Sequence, residues 1–486
     1  MVNGLSSAVK ELKMDIITGK ILKYHNWADG KIIGLAKDAG NKLMESGLDR
    51  EAALARLDAV RQNPGSFLAD PLFADLAREC LKIAQKDEAP PSELRASPLP
   101  FPIWGRDQID SEAIKQMQNA MRLPVTVTGA LMPDAHVGYG LPIGGVLATD
   151  NVVIPYAVGV DIACRMRLSL YEVSPILLGQ KKGMFEESLW NETAFGMGAK
   201  WTGSKRASHE VLDDEAWDAT KQLKSLKDTA MNQLGTSGTG NHFVEWGSFR
   251  LHEPMFGLQP GEYLALLSHS GSRGVGAKIA DRFSKLAMEK HPDLDKSVRH
   301  LAWLDLDSED GQEYWLSMEL AGRFASANHY VIHKRVAAAV GLKEVAVVEN
   351  HHNFAWKEKL PDGREVIVHR KGATPAGKGV LGVIPGSMGD AGYVVRGRGV
   401  SESLESASHG AGRLMSRRAA INSISKSSRD EYLKERGVTL LGGGIDESPQ
   451  AYKPIDEVIS AQRDLVDVIG KFTPKIVRMA DEPGDI

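Results

Sequence analysis

The stretch EYLALLSHSGSRG, Glu262–Gly274, runs through unbroken apolar residues from Tyr263 to Leu267 and then turns polar, leaving His269 and Arg273 among serines and glycines. An apolar run this short, closed by a glycine turn, reads as a buried strand whose end carries chemistry. Three further segments share the design. VVIPYAVGVDIAC, Val152–Cys164, ends on Asp161 and Cys164; KEVAVVENHHN, Lys343–Asn353, delivers His351, His352 and Asn353; LGTSGTGNHFVEW, Leu234–Trp246, carries Asn241, His242 and Glu245. The runs recur without a fixed repeat, and they do not alternate with helices regularly enough for a doubly wound sheet. The expectation is a single large mixed α+β body.

Working outward, the clearest helix spans about Ser308 to Val340, with Gly341 as C-cap and a break expected near Gly322. Its His329 and His333 stand four apart, a spacing that can put two imidazoles on one metal. No carboxylate joins them in an HExxH pattern, and the reading is a helix face. Toward the N-terminus the pattern changes. Residues 1–86 read as a small helical appendage, with one helix capped by Asp49 and another starting at Asp70-Pro71 and carrying Cys80 into a core. Residues 87–102, DEAPPSELRASPLPFP, are proline-rich and read as a linker, so the body is expected over 103–486.

The chain of 486 residues is 42% hydrophobic and 25% charged, enough to bury a sizeable core. Lys+Arg 59 against Asp+Glu 63 gives a net charge of −4, which excludes wholesale charge-driven binding to nucleic acid or an anionic membrane. A phosphate-rich partner must therefore meet a local basic patch. The start, MVNGLSSAVKELKMD, has no apolar run after a basic segment, and two cysteines cannot build a disulfide framework. A cytoplasmic protein is expected.

The strand ends bring together one thiolate, one carboxylate and several imidazoles, a donor set sufficient for one or two divalent ions. Ligand softness alone favours zinc or iron. A second group lies between Arg364 and Arg418, where nine Lys and Arg face four acidic residues. GATPAGKG, Gly372–Gly379, matches a P-loop until its last position, where Gly379 replaces the hydroxyl that binds Mg²⁺, so a Walker NTPase is not the reading. IPGSMG, Ile384–Gly389, is a glycine turn able to approach a nucleotide. SHGAGRLMSRR, Ser408–Arg418, sets His409 among small residues, with Arg413 and Arg417 following on what reads as one helical face. A neutral imidazole can attack phosphorus if cations neutralise the phosphoryl oxygens, although a packed histidine in a basic helix reads equally well.

In order along the chain, PDAHVGYG, VGVDIAC, GTSGTGNHF, HSGSRG, HHN, RKGATPAGKG, IPGSMG, SHGAGR and DESPQAYK resemble the RtcB family of RNA-splicing ligases, over roughly residues 100 to 470. The resemblance implies that family's own α+β fold. It also implies joining of an RNA 3′-phosphate or 2′,3′-cyclic phosphate end to a 5′-hydroxyl end, with GTP and two Mn²⁺ ions. On this chain, Asp161, Cys164, His242, His269 and His352 would bind the manganese, and His409 would take GMP. Asn241, Glu245, Asn353, Ser387, Gly410, Ala411, Gly412 and Tyr452 would surround the nucleotide, while Arg273, Arg413 and Arg417 would face phosphates.

The chain departs from the family pattern at several places. The usual terminal Lys-Gly is replaced by VRMADEPGDI, with Met479 near the lysine's place and Arg478 beside it. Gly-Cys-Gly becomes Ala163-Cys164-Arg165, Gly392 stands where a serine is common, and Tyr139 where a lysine is common. Two further readings follow from these changes: a related metal enzyme with altered nucleotide use or only phosphodiesterase or phosphatase chemistry, and a non-catalytic RNA-binding protein.

Overall fold

The computed structural model describes residues 16–28, 30–87 and 93–481. The first fifteen residues and the last five therefore lie outside the described residues, as do 88–92 of the proline-rich stretch. The chain divides into two compact units, 1–92 and 93–486.

The smaller unit packs the helices Gly19–Tyr24, Lys31–Glu45, Arg50–Gln62 and Ala74–Asp87 around Leu22, Trp27, Leu57, Phe73 and Cys80. Asp49 caps its helix as expected, accepting the Ala52 N–H at 2.8 Å. Asp70 instead accepts from Leu72 and Phe73 N–H groups in a turn, so the helix begins at Ala74 rather than at Pro71. Cys80 is a free, buried thiol whose pKa burial pushes up, as befits a core residue.

The larger unit is a mixed α+β body built on two main sheets. Its eight-stranded sheet runs Leu381–Ile384, Gly392–Gly397, Val466–Met479, Phe243–Leu251, Gly261–Ser270, Arg165–Tyr171 and Ala346–His351, with Thr439–Leu441 pairing parallel to Val466–Met479. The other pairs are antiparallel. A four-stranded antiparallel sheet orders Thr126–His136, Ile143–Thr149, Glu365–Lys371 and Asn353–Lys359. Residues 93–102, read as the end of a linker, lie on this unit: Arg95 donates to the Pro124 and Thr126 carbonyls at 2.9 and 3.0 Å, and Leu94, Leu99 and Phe101 pack against its core.

The long helix spans Glu309–Ala339 without interruption, capped by Ser308, whose hydroxyl accepts from Gly311 N–H at 3.1 Å. Gly322 does not break it. A Cβ there would come within 3.1 Å of the Phe354 ring, so the glycine serves close packing. Strands of the large sheet are covered on both faces. Met166, Leu168, Phe249 and Phe472 fill one side, while Trp246, Leu264 and Leu266 meet Ile332 and Val336 of the helix on the other.

Between the helix and the sheet lies a polar layer. Ser268 Oγ sits 2.6 Å from His329 Nδ1 and 2.8 Å from His333 Nε2, and Ser169 Oγ 2.7 Å from His333 Nδ1. The two histidines are thus satisfied core residues, as their helix-face reading expects, and burial drives His329 down to about 3. Arg165 points into the same layer, where Glu349 takes the guanidiniums of both Arg165 and Arg167. No helix of the described residues is long and apolar enough to cross a membrane.

Candidate active site

Sheet register assembles the site. Arg165 pairs with both Ser270 and His351, Met166 with His269, and Phe243 with His269, so the residues flanking four strand ends meet at one edge. Cys164 precedes the first of these strands, His269 nearly ends the second, His352 follows the third, and His242 precedes the fourth. Their atoms converge. Cys164 Sγ is 3.1 Å from His269 Nε2 and 3.4 Å from His242 Nε2, His269 Nε2 is 3.2 Å from His352 Nε2, and His242 Nε2 is 3.0 Å from an Asp161 carboxylate oxygen.

The tautomer of His269 follows from its partner. Nδ1 faces the Asn241 carbonyl at 2.9 Å and donates to it, which leaves Nε2 as a bare lone pair aimed at the thiol and at His352. Burial, then neighbouring imidazoles, holds His269 and His352 well below the usual histidine range, so both are neutral donors. Burial and then Asp161 push the Cys164 thiol well up. A buried sulfur, a carboxylate and three imidazoles with converging lone pairs are a poor apolar core and a good divalent-cation site, so the residues fit the group they suggested. Cys164, His242 and His269 form a buried set with ligand atoms all within 4.8 Å of one another.

The segment Asp161–Cys164 is held in shape by Asn353. Its side chain donates to the Asp161 carbonyl at 3.2 Å and accepts from Gly372 N–H at 2.8 Å, and its own carbonyl accepts from Ala163 N–H at 2.7 Å. Asn353 therefore braces the ligand loop. Arg273 donates to Thr236 Oγ1 at 3.2 Å and to the Gly196 carbonyl at 2.6 Å, behind Asp161 and Cys164. Glu245 is buried on its strand, one carboxyl oxygen has no partner, and burial raises its pKa well above the usual range.

A cavity of about 850 Å³ opens beside the ligands. Asn241, His269, Ser387, His409, Gly410, Ala411, Gly412, Arg413, Arg417 and Tyr452 all line it, which brings most of the sequence-derived candidates together. Glu245, Asn353 and Arg273 are not in its wall. Met479, Met388 and Phe243 form an apolar part, whereas Arg478 turns away, stacked on Trp190 at 4.3 Å and paired with Asp481.

His409 reaches into the cavity from the end of Ser406–Ser408, its ring 4.8 Å from that of His352. Its Nδ1 lies 2.6 Å from Asp134, a fully buried carboxylate that also accepts the His409 and Gly410 N–H groups. Burial opposes ionisation of Asp134, but the His409 hydrogen bond and charge outweigh it and hold its pKa below the usual value. Gly412 sits at φ +74, and a Cβ there would fall 2.0 Å from the Asp134 carbonyl oxygen. Only glycine lets the loop pass.

Arg413 and Arg417 do not share a helical face: Ser416 caps a helix that starts at Arg417, leaving Arg413 in the loop. Glu447 gathers them instead, accepting from Arg413 Nη1 at 3.2 Å, from Arg417 and from the Tyr452 hydroxyl. The expected basic patch is likewise dispersed. Arg370 is buried against Glu358 and Arg396 pairs with Glu253, so of the nine cations only Arg413, Arg417 and Arg418 line the cavity. Gly372–Gly379 forms the strand Ala373–Pro375 and not a loop before a helix.

The sequence reading missed Asp134, Glu447 and Asp446, which accepts from Arg417 Nη1 at 2.6 Å. Each lies inside a motif it quoted, yet an acidic residue in a conspicuous segment carries no signal of which cation or imidazole it will meet.

The family model described as tRNA-splicing ligase RtcB matches residues 116–480. The chain belongs to the RtcB family. It is 33% identical to the RNA-splicing ligase RtcB of Escherichia coli K12, covering 76% of this chain and 95% of that protein. Identity to the tRNA-splicing ligase RtcB of Nanoarchaeum equitans is 30%, over 78% of this chain and 95% of the relative. The Mycobacterium tuberculosis RNA-splicing ligase RtcB is 33% identical over 74% of the chain and 98% of its own length. The RtcB match takes in every ligand candidate, His409 and the cavity lining other than Asp110, while the helical unit before residue 93 lies outside it.

Proposed function

We propose that the protein is an RNA ligase that joins 3′-phosphate or 2′,3′-cyclic phosphate ends to 5′-hydroxyl ends, using GTP and two manganese ions. The observation that carries this reading is His409, held by Asp134 through Nδ1 so that Nε2 is free, in a cavity bordered by a thiol–imidazole cluster and three arginines. Hydrogen-bonded through Nδ1 to a carboxylate, a neutral imidazole is a nucleophile with a fixed orientation.

Asp161, Cys164, His242, His269 and His352 would hold the metal. Bound divalent ions supply charge neutralisation on phosphoryl oxygens. His409 Nε2 attacks the α-phosphorus of GTP; an N–P bond forms, the bond to the bridging oxygen breaks, and pyrophosphate leaves. Nδ1 keeps its proton and donates it to Asp134, whose charge offsets the positive charge that develops on the ring. Water first opens a 2′,3′-cyclic end to the 3′-phosphate, and GMP then passes to an oxygen of that phosphate as the N–P bond to His409 breaks. The 5′-hydroxyl attacks that phosphorus, the phosphodiester forms, and GMP departs. Arg413 and Arg417 orient phosphates, Tyr452 and Ser387 flank the nucleotide, and the glycines after His409 let phosphate oxygens approach backbone N–H groups. Two free, buried thiols fit work in a reducing cytoplasm.

The test is incubation with α-labelled GTP and Mn²⁺, with His409→Ala in parallel. Label surviving a denaturing gel on the parent alone supports the reading; label on both, or on neither, rejects it. A second reading, altered nucleotide choice, is favoured by the apolar Met479 in the cavity wall and by Arg478 turned away from it. Labelling by another nucleoside triphosphate at a rate matching GTP selects that reading.

A further inference from the structure

Beyond the groups assigned above, the cavity carries an aromatic ring with no assigned role. Tyr139 lines it yet is 72% exposed, in contrast to Phe243, Met388 and Met479 in the same wall, which are 7%, 4% and 3% exposed. Its backbone is fixed from three directions. Gln116 clamps Gly138, accepting its N–H at 3.0 Å and donating to its carbonyl at 2.6 Å; Lys371 donates to the Tyr139 carbonyl; and Gly140 takes φ +72 against His300. The ring itself leans edge-on to His300, which in turn packs edge-on to Tyr156, with centroids at 6.5 and 5.0 Å.

A rigid loop that presents an aromatic face to solvent forgoes the stabilisation that burying the ring would give. Val137 and Leu414, also exposed, line the same cavity, so the apolar surface continues around its mouth. Lys371 leads directly into Gly372, where a Cβ would lie 3.1 Å from the His409 ring, so the backbone carrying Tyr139 is tied to a residue that adjoins the wall beside His409. The buried apolar wall of Phe243, Met388 and Met479 suits a base held out of solvent. An open, exposed ring fits a base belonging to a chain that continues into solvent, and stacking on aromatic side chains is how proteins hold unpaired RNA bases.

Resting on the ligase reading, we propose that Tyr139 is a positioning residue on which the terminal base of an incoming RNA stacks, fixing the end before His409. A base at the 3′-phosphate end and one at the 5′-hydroxyl end offer the same π-face, and the experiment separates them.

The experiment measures the affinity of labelled RNA for the full protein, using two single strands, one ending in a 3′-phosphate and one starting with a 5′-hydroxyl, each with an intact or an abasic terminal residue. Tyr139→Ala should weaken one intact strand about tenfold, Tyr139→Phe should keep parental affinity, and the abasic form of that strand should bind parent and Ala variant alike. The strand that responds names the end. Equal binding of intact strands by parent and Ala variant overturns the proposal, as does an abasic penalty that persists in the Ala variant or a loss confined to GTP binding. Stacking without any joining of ends would leave this assignment standing and reject the ligase reading instead.

Discussion

The Asp134 carboxylate lies 2.6 Å from His409 Nδ1 and is itself out of solvent, so the histidine's orientation and its proton are set by one residue distant in sequence. Asp134→Asn keeps the shape but replaces an ionised acceptor with an amide that can enforce the other tautomer. Guanylylation of His409, read as label from GTP per minute, should fall on the order of 10²–10⁴-fold, with thermal stability changed far less than activity.

Cys164 is the donor shared between His242 and His269. Cys164→Ala removes the sulfur and leaves the three imidazoles and Asp161 without the donor that lies between His242 and His269. Manganese binding measured by calorimetry should weaken at least about tenfold, and ligation should fall with it. Full activity with undiminished metal content would rule out the ligand assignment.

Glu447 holds Arg413, Arg417 and Tyr452 from a buried position; burial raises its pKa, against the pull of the two guanidiniums. Glu447→Gln keeps hydrogen-bonding atoms but removes the charge that aims both arginines. The expected outcome is a rise in KM for RNA of roughly tenfold, since two mis-aimed guanidiniums forfeit charge-assisted contacts to phosphate. An unchanged KM would show that the arginines orient themselves.

The pattern that could be read from the sequence and the part that could not differ in kind. Strand ends feeding glycine turns located Cys164, His269 and His352, because period, composition and breakers are local properties. The pairings Asp134–His409 and Arg413–Glu447 join residues 275 and 34 apart and depend on sheet order, which local pattern does not encode. Gly322 shows the same limit: a glycine in a helix suggests a break until the approach of Phe354 is known. Arg165 was equally unreadable, since its partner Glu349 arrives on another strand.

Acid should destabilise the protein well above the pH at which carboxylates titrate. Burial lowers His329 and His351 to about 3 and His369 to about 4; His369 is fixed as a neutral tautomer by Ile154 N–H donating to Nε2 at 2.9 Å. Each binds a proton more readily unfolded, at about 6.5, than folded. Stability is therefore fully present above about 6.5 and falls as pH drops toward 3–4, by about 1.4 kcal/mol per pH unit for each group. Melting curves recorded with chelator between pH 7 and 5 should show this slope, and His369→Gln should flatten it by one proton. A pH-independent melting temperature would contradict the buried neutral state.

Val466–Met479 lies inside the eight-stranded sheet, between Gly392–Gly397 and Phe243–Leu251. During synthesis the strands on both sides emerge first, each with a bare hydrogen-bonding edge and apolar faces, and they wait for a partner more than two hundred residues behind Phe243–Leu251. The nascent chain thus carries open sheet edges until Val466–Met479 has emerged, a window in which two ribosome-bound copies can pair with each other. Closing the sheet with a strand this late in sequence makes pairing between nascent copies a hazard that the stability of the finished fold does not remove.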